Sequence, residues 1–253
     1  MAKAVTARIE LAYDGTDFAG WAVQPDQRTV EGELAAAIYQ LRGDKPTLTV
    51  AGRTDAGVHA VRQVVSHPGE PLRPEALNGV LPRDISVRSS QEAGADFVDA
   101  RESATSRAYR YRVLQTRTRP LHERRTSFWV STAIDFSLLE QCAQLLPGEH
   151  RMTAFTPAQT EHVHFTRNIL SARWTQAQTD EGLRLDFHIE AVSFMRHMNR
   201  ILVGTMLEVS RGVMSIEGFE ELLQGRPRSD AGDTAPAQGL TLLGVGYGTR
   251  VLD

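Results

Sequence analysis

Residues 50–60 read Val50-Ala51-Gly52-Arg53-Thr54-Asp55-Ala56-Gly57-Val58-His59-Ala60. The alternating, partly β-branched residues that lead into this stretch, Thr47 to Ala51, predict a short strand. Gly52 and Gly57 then bracket four polar or small residues, which indicates a tight loop, since glycine lets the backbone turn sharply or lets another backbone come close. Such a loop presents Arg53 and Asp55 at a rigid strand end. A solvated turn with an incidental arginine and aspartate has the same local chemistry, so the loop alone leaves both interpretations open.

The residues on either side of this loop predict an α+β arrangement in the first half of the chain. Apolar and polar residues alternate from Val5 to Tyr13, which is typical of a half-buried antiparallel strand. Thr29 is a candidate N-cap for a helix that Gly43 ends. Three further elements complete a series of β, α, β, β, α, β: a strand at Gln63–Ser66, a helix at Pro74–Val80 and a strand at Ile85–Val87.

The second half has a similar element order, and the looser pattern around residue 103 predicts a domain boundary there, which gives domains 1–103 and 104–253. Asp135 and Ser193 are candidate N-caps for two helices. The segment near Asp230 is predicted to be a mobile loop. The other predicted elements are strands at Tyr109–Leu114, Ile169–Gln176, Leu183–Ala191 and Leu240–Tyr247, and a short helix at Ile216–Leu223.

The charge distribution points to nucleic acid although the formal net charge is −3. Between residues 101 and 125 the chain has eight arginines, two glutamates and no lysine, a local excess of six positive charges. Arginine forks favour planar recognition of phosphates and bases. For the outer four arginines, a solvated face remains an alternative. The eight are Arg101, Arg107, Arg110, Arg112, Arg117, Arg119, Arg124 and Arg125.

Several classes of protein are not favoured by the sequence. Cys142 is the single cysteine, so neither a disulfide framework nor a cysteine-based zinc site is expected. His162 and His164 lack the further ligands of a metal pair, and no metal is predicted. Met1–Glu10 has no apolar segment of signal-peptide length, and no stretch approaches the roughly 20 apolar residues of a membrane span. A cytoplasmic protein without membrane attachment is therefore expected.

The stretch from Gly52 to Ala60 resembles the signature loop of the tRNA pseudouridine synthase A family, enzymes that isomerise uridine in the anticodon arm of tRNA. The resemblance extends over nearly the whole chain. Further motifs that are similar to the family's lie at residues 18–21 (Phe-Ala-Gly-Trp), 78–85, 103–111, 194–204 and 235–240.

The resemblance implies a role for each of several residues. Asp55 is implied to be the catalytic aspartate, and Arg53 to help displace the target nucleotide from its stack. Tyr109 is implied to be the active-site tyrosine, which would stack under the displaced uracil, and Arg200 to pair with the catalytic aspartate. Arg107, Arg110 and Arg112 are expected to bind the RNA beside Tyr109, because they lie on the same basic strand.

The resemblance also implies a fold and a set of partners. The fold is expected to be α+β, with two similar subdomains whose mainly antiparallel sheets join around a central cleft. The expected substrate is tRNA, at roughly positions 38 to 40 of the anticodon stem-loop, recognised by shape and phosphate position. A homodimer is implied, and no cofactor is needed because the isomerisation involves no redox change.

Two other functions are compatible with parts of the sequence. A non-catalytic RNA-binding or RNA-folding protein would use the arginine cluster without Asp55. A hydrolase of a small nucleoside would use Asp55 without the cluster. Within the isomerase interpretation, the sequence leaves open whether Asp55 attacks C1′, attacks C6 of the base or removes a sugar proton.

Overall fold

A computed structural model describes residues 5–160 and 162–252 of the chain. The first four residues of the segment Met1–Glu10, where no leader is expected, lie outside the described residues. The chain divides into two compact units: Met1–Thr105 with Leu242–Val251, and Ser106–Thr241 with Leu252–Asp253. Both units combine helices with mainly antiparallel strands, which confirms the predicted α+β class.

The first unit contains the predicted series of elements. Strand β1 lies between β3 and β4 and is antiparallel to both, and β2 is antiparallel to β3. The predicted β, α, β, β, α, β order is confirmed, although β2 is shorter than expected and β3 and β4 are longer. The elements are β1 (Thr6–Tyr13), α1 (Val30–Arg42), β2 (Thr49–Val50), β3 (His59–Pro68), α2 (Pro74–Val80) and β4 (Ile85–Glu92).

Local chemistry explains why the first elements form where they do. Every second residue of β1 is buried, as the alternating sequence predicts. The Thr29 hydroxyl accepts a hydrogen bond from the backbone N–H of Gly32, so Thr29 caps α1. Gly43 ends α1 in the left-handed conformation, with a φ of 82° that other residues rarely adopt.

The second unit is built on an antiparallel sheet with the strand order β5, β9, β8, β7, and β6 pairs parallel to β5. The Asp135 carboxylate caps α3, as predicted. The elements are β5 (Ser106–Gln115), β6 (Phe128–Val130), α3 (Phe136–Gln144), β7 (Gly148–Arg151), β8 (Thr166–Thr179), β9 (Gly182–Ala191), α4 (Met198–Ser210) and α5 (Ile216–Leu222). The last strand, β10 (Leu240–Gly246), begins in the second unit, but its residues from Leu242 onward group with the first.

One face of this sheet carries the core of the second unit. Trp174 of β8 and Phe187 of β9 are register partners with ring centroids 5.1 Å apart. The Trp174 indole N–H lies 3.5 Å from the Met206 sulfur, so α4 packs on the same face. Cys142 is buried in α3, as expected for a small apolar side chain.

The prediction that Ser193 caps a helix is wrong. Helix α4 begins at Met198, and its N-cap residue, His197, has a φ of 60° that interrupts any helix from residue 193. Phe194 instead packs its ring edge-on against Tyr109, with centroids 5.1 Å apart. This tertiary contact overrides the local capping signal of Ser193.

The segment after α5, near Asp230, is predicted to be a mobile loop, and part of it is bonded to α4. Residues 232–235 lie against α4, where Gly232 N–H donates to the Thr205 hydroxyl and Asp233 N–H to Glu208. Gly204 permits this approach, because a Cβ at that position would lie 1.8 Å from the Asp233 carbonyl oxygen. Residues 242–251 group with the first unit, although the predicted C-terminal domain 104–253 included them.

Candidate active site

Asp55 lies in a short loop between β2 and β3 of the first unit. The Asp55 carbonyl accepts a hydrogen bond from Val58 N–H at 3.2 Å, and Gly57 between them has a φ of 78°. Asp55 is half-buried, whereas Arg53 is exposed. The glycine-bracketed loop predicted from the sequence is therefore present.

The motif at residues 18–21 is hydrogen-bonded to this loop. Trp21 N–H donates to the Thr54 carbonyl at 3.0 Å, and Gly57 N–H donates to the Phe18 carbonyl at 3.3 Å. Gly20 has a φ of 104°, and a Cβ there would lie 2.9 Å from the Thr54 carbonyl oxygen. Residues 18–21 and the Asp55 loop are thus fixed to each other by their backbones on both sides of Asp55.

A buried hydrogen-bond chain supports the loop from beneath. The hydroxyl groups of Tyr13 and Thr54 are 2.8 Å apart. The Gln63 amide donates to the Tyr13 hydroxyl at 3.3 Å and to the Gly52 carbonyl at 2.8 Å. Burial raises the pKa of Tyr13 to about 12, so its hydroxyl stays protonated. The sequence did not identify Tyr13 or Gln63, whose only signal is a polar atom on an otherwise buried strand face.

Tyr109 lies on β5 in the second unit and is 7% exposed. Its ring meets Phe194 at an interplanar angle of 85°, an edge-to-face contact that favours one ring orientation. Two motifs of the sequence, at residues 103–111 and 194–204, therefore meet within one unit.

Arg200 lies in the first turn of α4 and is held by the segment before β10. Its Nε donates to the Ala235 carbonyl at 2.8 Å, and Ala235 N–H donates back to the Arg200 carbonyl at 3.1 Å. The adjacent Pro236 carbonyl accepts from the Tyr111 hydroxyl at 2.7 Å. The 235–240 motif therefore orients Arg200 through its backbone.

The three arginines of β5 have different surroundings. Arg107 donates to the Val192 carbonyl at 3.0 Å. Arg112 binds the Asp186 carboxylate through Nε and Nη2, at 2.8 and 3.2 Å. Arg110 has a buried Nε without a hydrogen-bond partner, and burial followed by the nearby charge of Arg112 lowers its pKa. The Arg112 guanidinium is therefore held by a carboxylate, whereas the Nε of Arg110 has no hydrogen-bond partner.

The outer part of the arginine cluster is an exposed loop with an ordered backbone. The Glu181 carboxylate accepts hydrogen bonds from the backbone N–H groups of Leu121, His122 and Glu123, at 2.9, 3.0 and 2.9 Å. The bonds from His122, Glu123 and Leu121 lower the pKa of Glu181 to about 2. The loop and its flanks display the exposed residues Arg117, Arg119, Arg124 and Arg125.

The predicted site residues thus belong to two units. Asp55 and Arg53 lie in the first unit, and Tyr109, Arg107, Arg110, Arg112 and Arg200 lie in the second. Over residues 5–160 and 162–252, no group of three or more His, Cys, Asp or Glu side chains is arranged to hold a metal ion. No helix within the described part of the chain is long and apolar enough to cross a membrane.

Comparison with known proteins gives consistent matches. A family model described as tRNA pseudouridine synthase matches residues 142–248. The tRNA pseudouridine synthase A of Moorella thermoacetica is 40% identical over 95% of this chain and 98% of the relative. That of Geobacillus kaustophilus is 39% identical over 96% and 95%, and that of Myxococcus xanthus 36% over 95% and 91%. A solved Cbf5-Nop10-Gar1 complex matches 88% of this chain and 70% of that chain with a TM-score of 0.29 and 10% identity, too low to establish a shared fold.

Proposed function

The chain belongs to the tRNA pseudouridine synthase A family, and on this basis we propose that it isomerises uridine to pseudouridine in tRNA, with Asp55 as the catalytic carboxylate. The observation that carries the proposal is the fixed loop of residues 52–57. Its backbone is bonded to residues 18–21 on one side and to Gln63 on the other. A carboxylate held in this way meets the geometric demand of catalysis, because a small displacement of a reacting group is costly.

The reaction needs only groups that a protein chain supplies. The bond between N1 and C1′ breaks, the uracil turns, and a new bond forms between C5 and C1′. The C5 proton is lost to solvent and N1 gains a proton, so no electrons are transferred to or from another molecule. A carboxylate can act as nucleophile at C1′ or C6, or as a base toward the sugar.

Three other residues are proposed to act in the reaction, two on the substrate nucleotide and one on Asp55. Arg53 is proposed to enter the stack that the extruded uridine leaves, which would offset part of the few kcal/mol that extrusion costs. Tyr109 is proposed to stack on the displaced uracil. Arg200 is proposed to orient the carboxylate of Asp55. The edge contact of Tyr109 with Phe194 and the bond from Arg200 to the Ala235 carbonyl support these roles.

The strand arginines are proposed to bind phosphates of the anticodon arm, whose uridines at roughly positions 38 to 40 are the proposed targets. Arg110 gives the sharpest test, since its guanidinium has an unpaired Nε, whereas Arg112 is already held by Asp186. Arg110→Ala should lower the slope of log binding constant against log salt by about one. Titration of tRNA at several salt concentrations measures this slope, and an unchanged slope would assign Arg110 a structural role.

The protein is further proposed to act in the cytoplasm as a homodimer that binds tRNA. The cytoplasm is where unmodified tRNA substrate would be met, and the dimer is the assembly that the family resemblance implies. Sedimentation equilibrium should give twice the mass of the chain for the protein alone, and that mass plus the mass of the bound tRNA when tRNA is present. A monomer at enzymatic working concentrations would exclude the dimer.

The isomerase activity is tested by release of tritium from tRNA that carries C5-tritiated uridine, without added metal or nucleotide. The wild-type protein should release tritium, and Asp55→Asn should reduce the rate by at least about 10²-fold. Asp44→Asn is a matched control, because Asp44 is an exposed carboxylate that pairs with Arg42 in the same unit. A protein that only binds RNA would release none, and full activity in Asp55→Asn would exclude the role of Asp55.

A further inference from the structure

An ion pair on the surface of the first unit lies over an aromatic ring. Arg28 donates from Nη1 and Nη2 to the two carboxylate oxygens of Asp84, at 2.7 and 2.9 Å. Its Nε donates to Glu33 of α1 at 2.7 Å. The same guanidinium lies 4.2 Å from the centroid of the Phe18 ring. Hydrogen bonds from all three guanidinium nitrogens hold the Arg28 side chain in one orientation.

This arrangement fixes residues 18–20, and these residues are bonded to the Asp55 loop. The backbone of Arg28 accepts from Ala19 N–H at 2.9 Å, and the Gly20 carbonyl accepts from Val30 N–H at 3.2 Å. The Phe18 carbonyl is the acceptor for Gly57 N–H, two residues after Asp55. A path of direct contacts therefore runs from the Arg28 guanidinium through Phe18 to the Asp55 loop.

Asp84 anchors the other end of the same segment. Its carbonyl accepts from Asp14 N–H at 3.0 Å, so its backbone fixes the end of β1 while its carboxylate fixes Arg28. The residues between these points, 15–21, are in contact with the loop at Gly15 and Gly20, where a Cβ would lie 2.0 Å from the Val58 carbonyl oxygen and 2.9 Å from that of Thr54. Displacing residues 15–21 therefore displaces the Asp55 loop.

We propose that Arg28 and Asp84 are positioning residues for the reaction, which hold the Asp55 loop at the correct place through Phe18. The inference rests on the proposed function. The side chains of Arg28 and Asp84 are 37% and 28% exposed, and an ion pair at such exposure contributes little to folding stability. Their removal is expected to act on the geometry of catalysis, since a misplacement of about 1 Å from a change far from the chemistry costs about 10²-fold in rate.

The test compares Arg28→Ala, Asp84→Asn and the double variant. Arg62→Ala is the matched control, because Arg62 forms an exposed pair with Glu10 at 3.3 Å in the same unit. We expect kcat for tritium release to fall about 10²-fold in each single variant with KM for tRNA unchanged. The double variant should fall no further, because the two residues act as one unit. Arg28→Lys should not restore the rate, since lysine keeps the charge and lacks the fork.

Hydrogen exchange gives a second measurement that does not depend on activity. The amides of Gly57 and Trp21 donate across the contact between the two segments, so they should exchange faster in Arg28→Ala and Asp84→Asn than in wild type and Arg62→Ala. If the wild type released no tritium, the proposed function would be wrong, and these exchange rates would still decide whether the pair holds the loop.

Three results would overturn the inference. A raised KM in Arg28→Ala with normal kcat in Asp84→Asn would mean that Arg28 contacts tRNA directly. Rate losses that multiply in the double variant would mean that the two residues act independently. Unchanged exchange at Gly57 and Trp21 would mean that the loop does not depend on the pair.

Discussion

Replacement of Gly20 by alanine should affect both stability and catalysis, because this position has neither the backbone conformation nor the space for a side chain. Its φ is 104°, a region that residues other than glycine rarely adopt. The new Cβ would lie 2.9 Å from the Thr54 carbonyl oxygen, 3.1 Å from Ala56 N and 3.2 Å from the Asp55 carbonyl carbon. All three are backbone atoms of the Asp55 loop, so the loop has to move.

The expected loss of folding free energy has two sources. Holding a residue with a side chain at such a φ costs about 1–3 kcal/mol. Inserting a methyl group into a closely packed site costs about 1–3 kcal/mol. Together they predict that Gly20→Ala lowers the free energy of unfolding by about 2–6 kcal/mol. The displaced carboxylate of Asp55 should also lower kcat for tritium release by about 10²-fold.

Urea denaturation of Gly20→Ala and Gly79→Ala provides the measurement. Gly79 lies in α2, and a Cβ there would meet nothing within 4 Å. Gly79→Ala should therefore raise the free energy of unfolding by about 0.5–1 kcal/mol, the usual gain of alanine over glycine in a helix. The two variants should change stability in opposite directions. A Gly20→Ala protein with wild-type stability and kcat would refute the reasoning.

Two further predictions concern hydrogen bonds that hold loops. Tyr13→Phe should lower the free energy of unfolding by about 1–3 kcal/mol, because the buried Thr54 hydroxyl loses its partner. Urea denaturation measures this loss. An unchanged free energy of unfolding would mean that the Thr54 hydroxyl finds another partner. Glu181 has a pKa lowered from 4.5 to about 2 by backbone bonds from His122, Glu123 and Leu121, so its stabilising effect is complete above about pH 4.5 and is lost as the pH falls toward 2. NMR titration of the Glu181 carboxyl should give a midpoint near 2, and a midpoint near 4.5 would contradict the bonding of this loop.

Features that depend on neighbours in sequence were predictable. Thr29 caps α1 with its own hydroxyl, and Gly43 ends the helix with a positive φ, so both signals are complete within a few residues. Asp135 caps α3 for the same reason. The alternation of β1 also predicts its buried face directly. The loop around Asp55 belongs to this group, because Gly57 turns the chain with a φ of 78°.

Features that depend on distant partners were not predictable. Ser193 has the local signal of a cap, but Phe194 is held by Tyr109 on another strand, and α4 begins at Met198. The pairing of Arg28 with Asp84 joins residues 56 positions apart, and no local pattern marks either as part of the site. Within the arginine cluster the sequence predicts the charge of the side chains but not the partner of each one.

The strand β10 has a consequence for the order in which the protein is made. Residues 242–251 belong to the first compact unit, but they are translated only after Ser106–Thr241, which form most of the second unit. At about 5–20 residues per second, these roughly 140 residues separate the two parts of the first unit by on the order of 10 s. During that interval the emerging first unit lacks Val245 and Tyr247, which pack against Ala51, Val64 and Ala100. The residues that flank the Asp55 loop, Ala51 and Val64, therefore complete their packing only after most of the second unit has been translated.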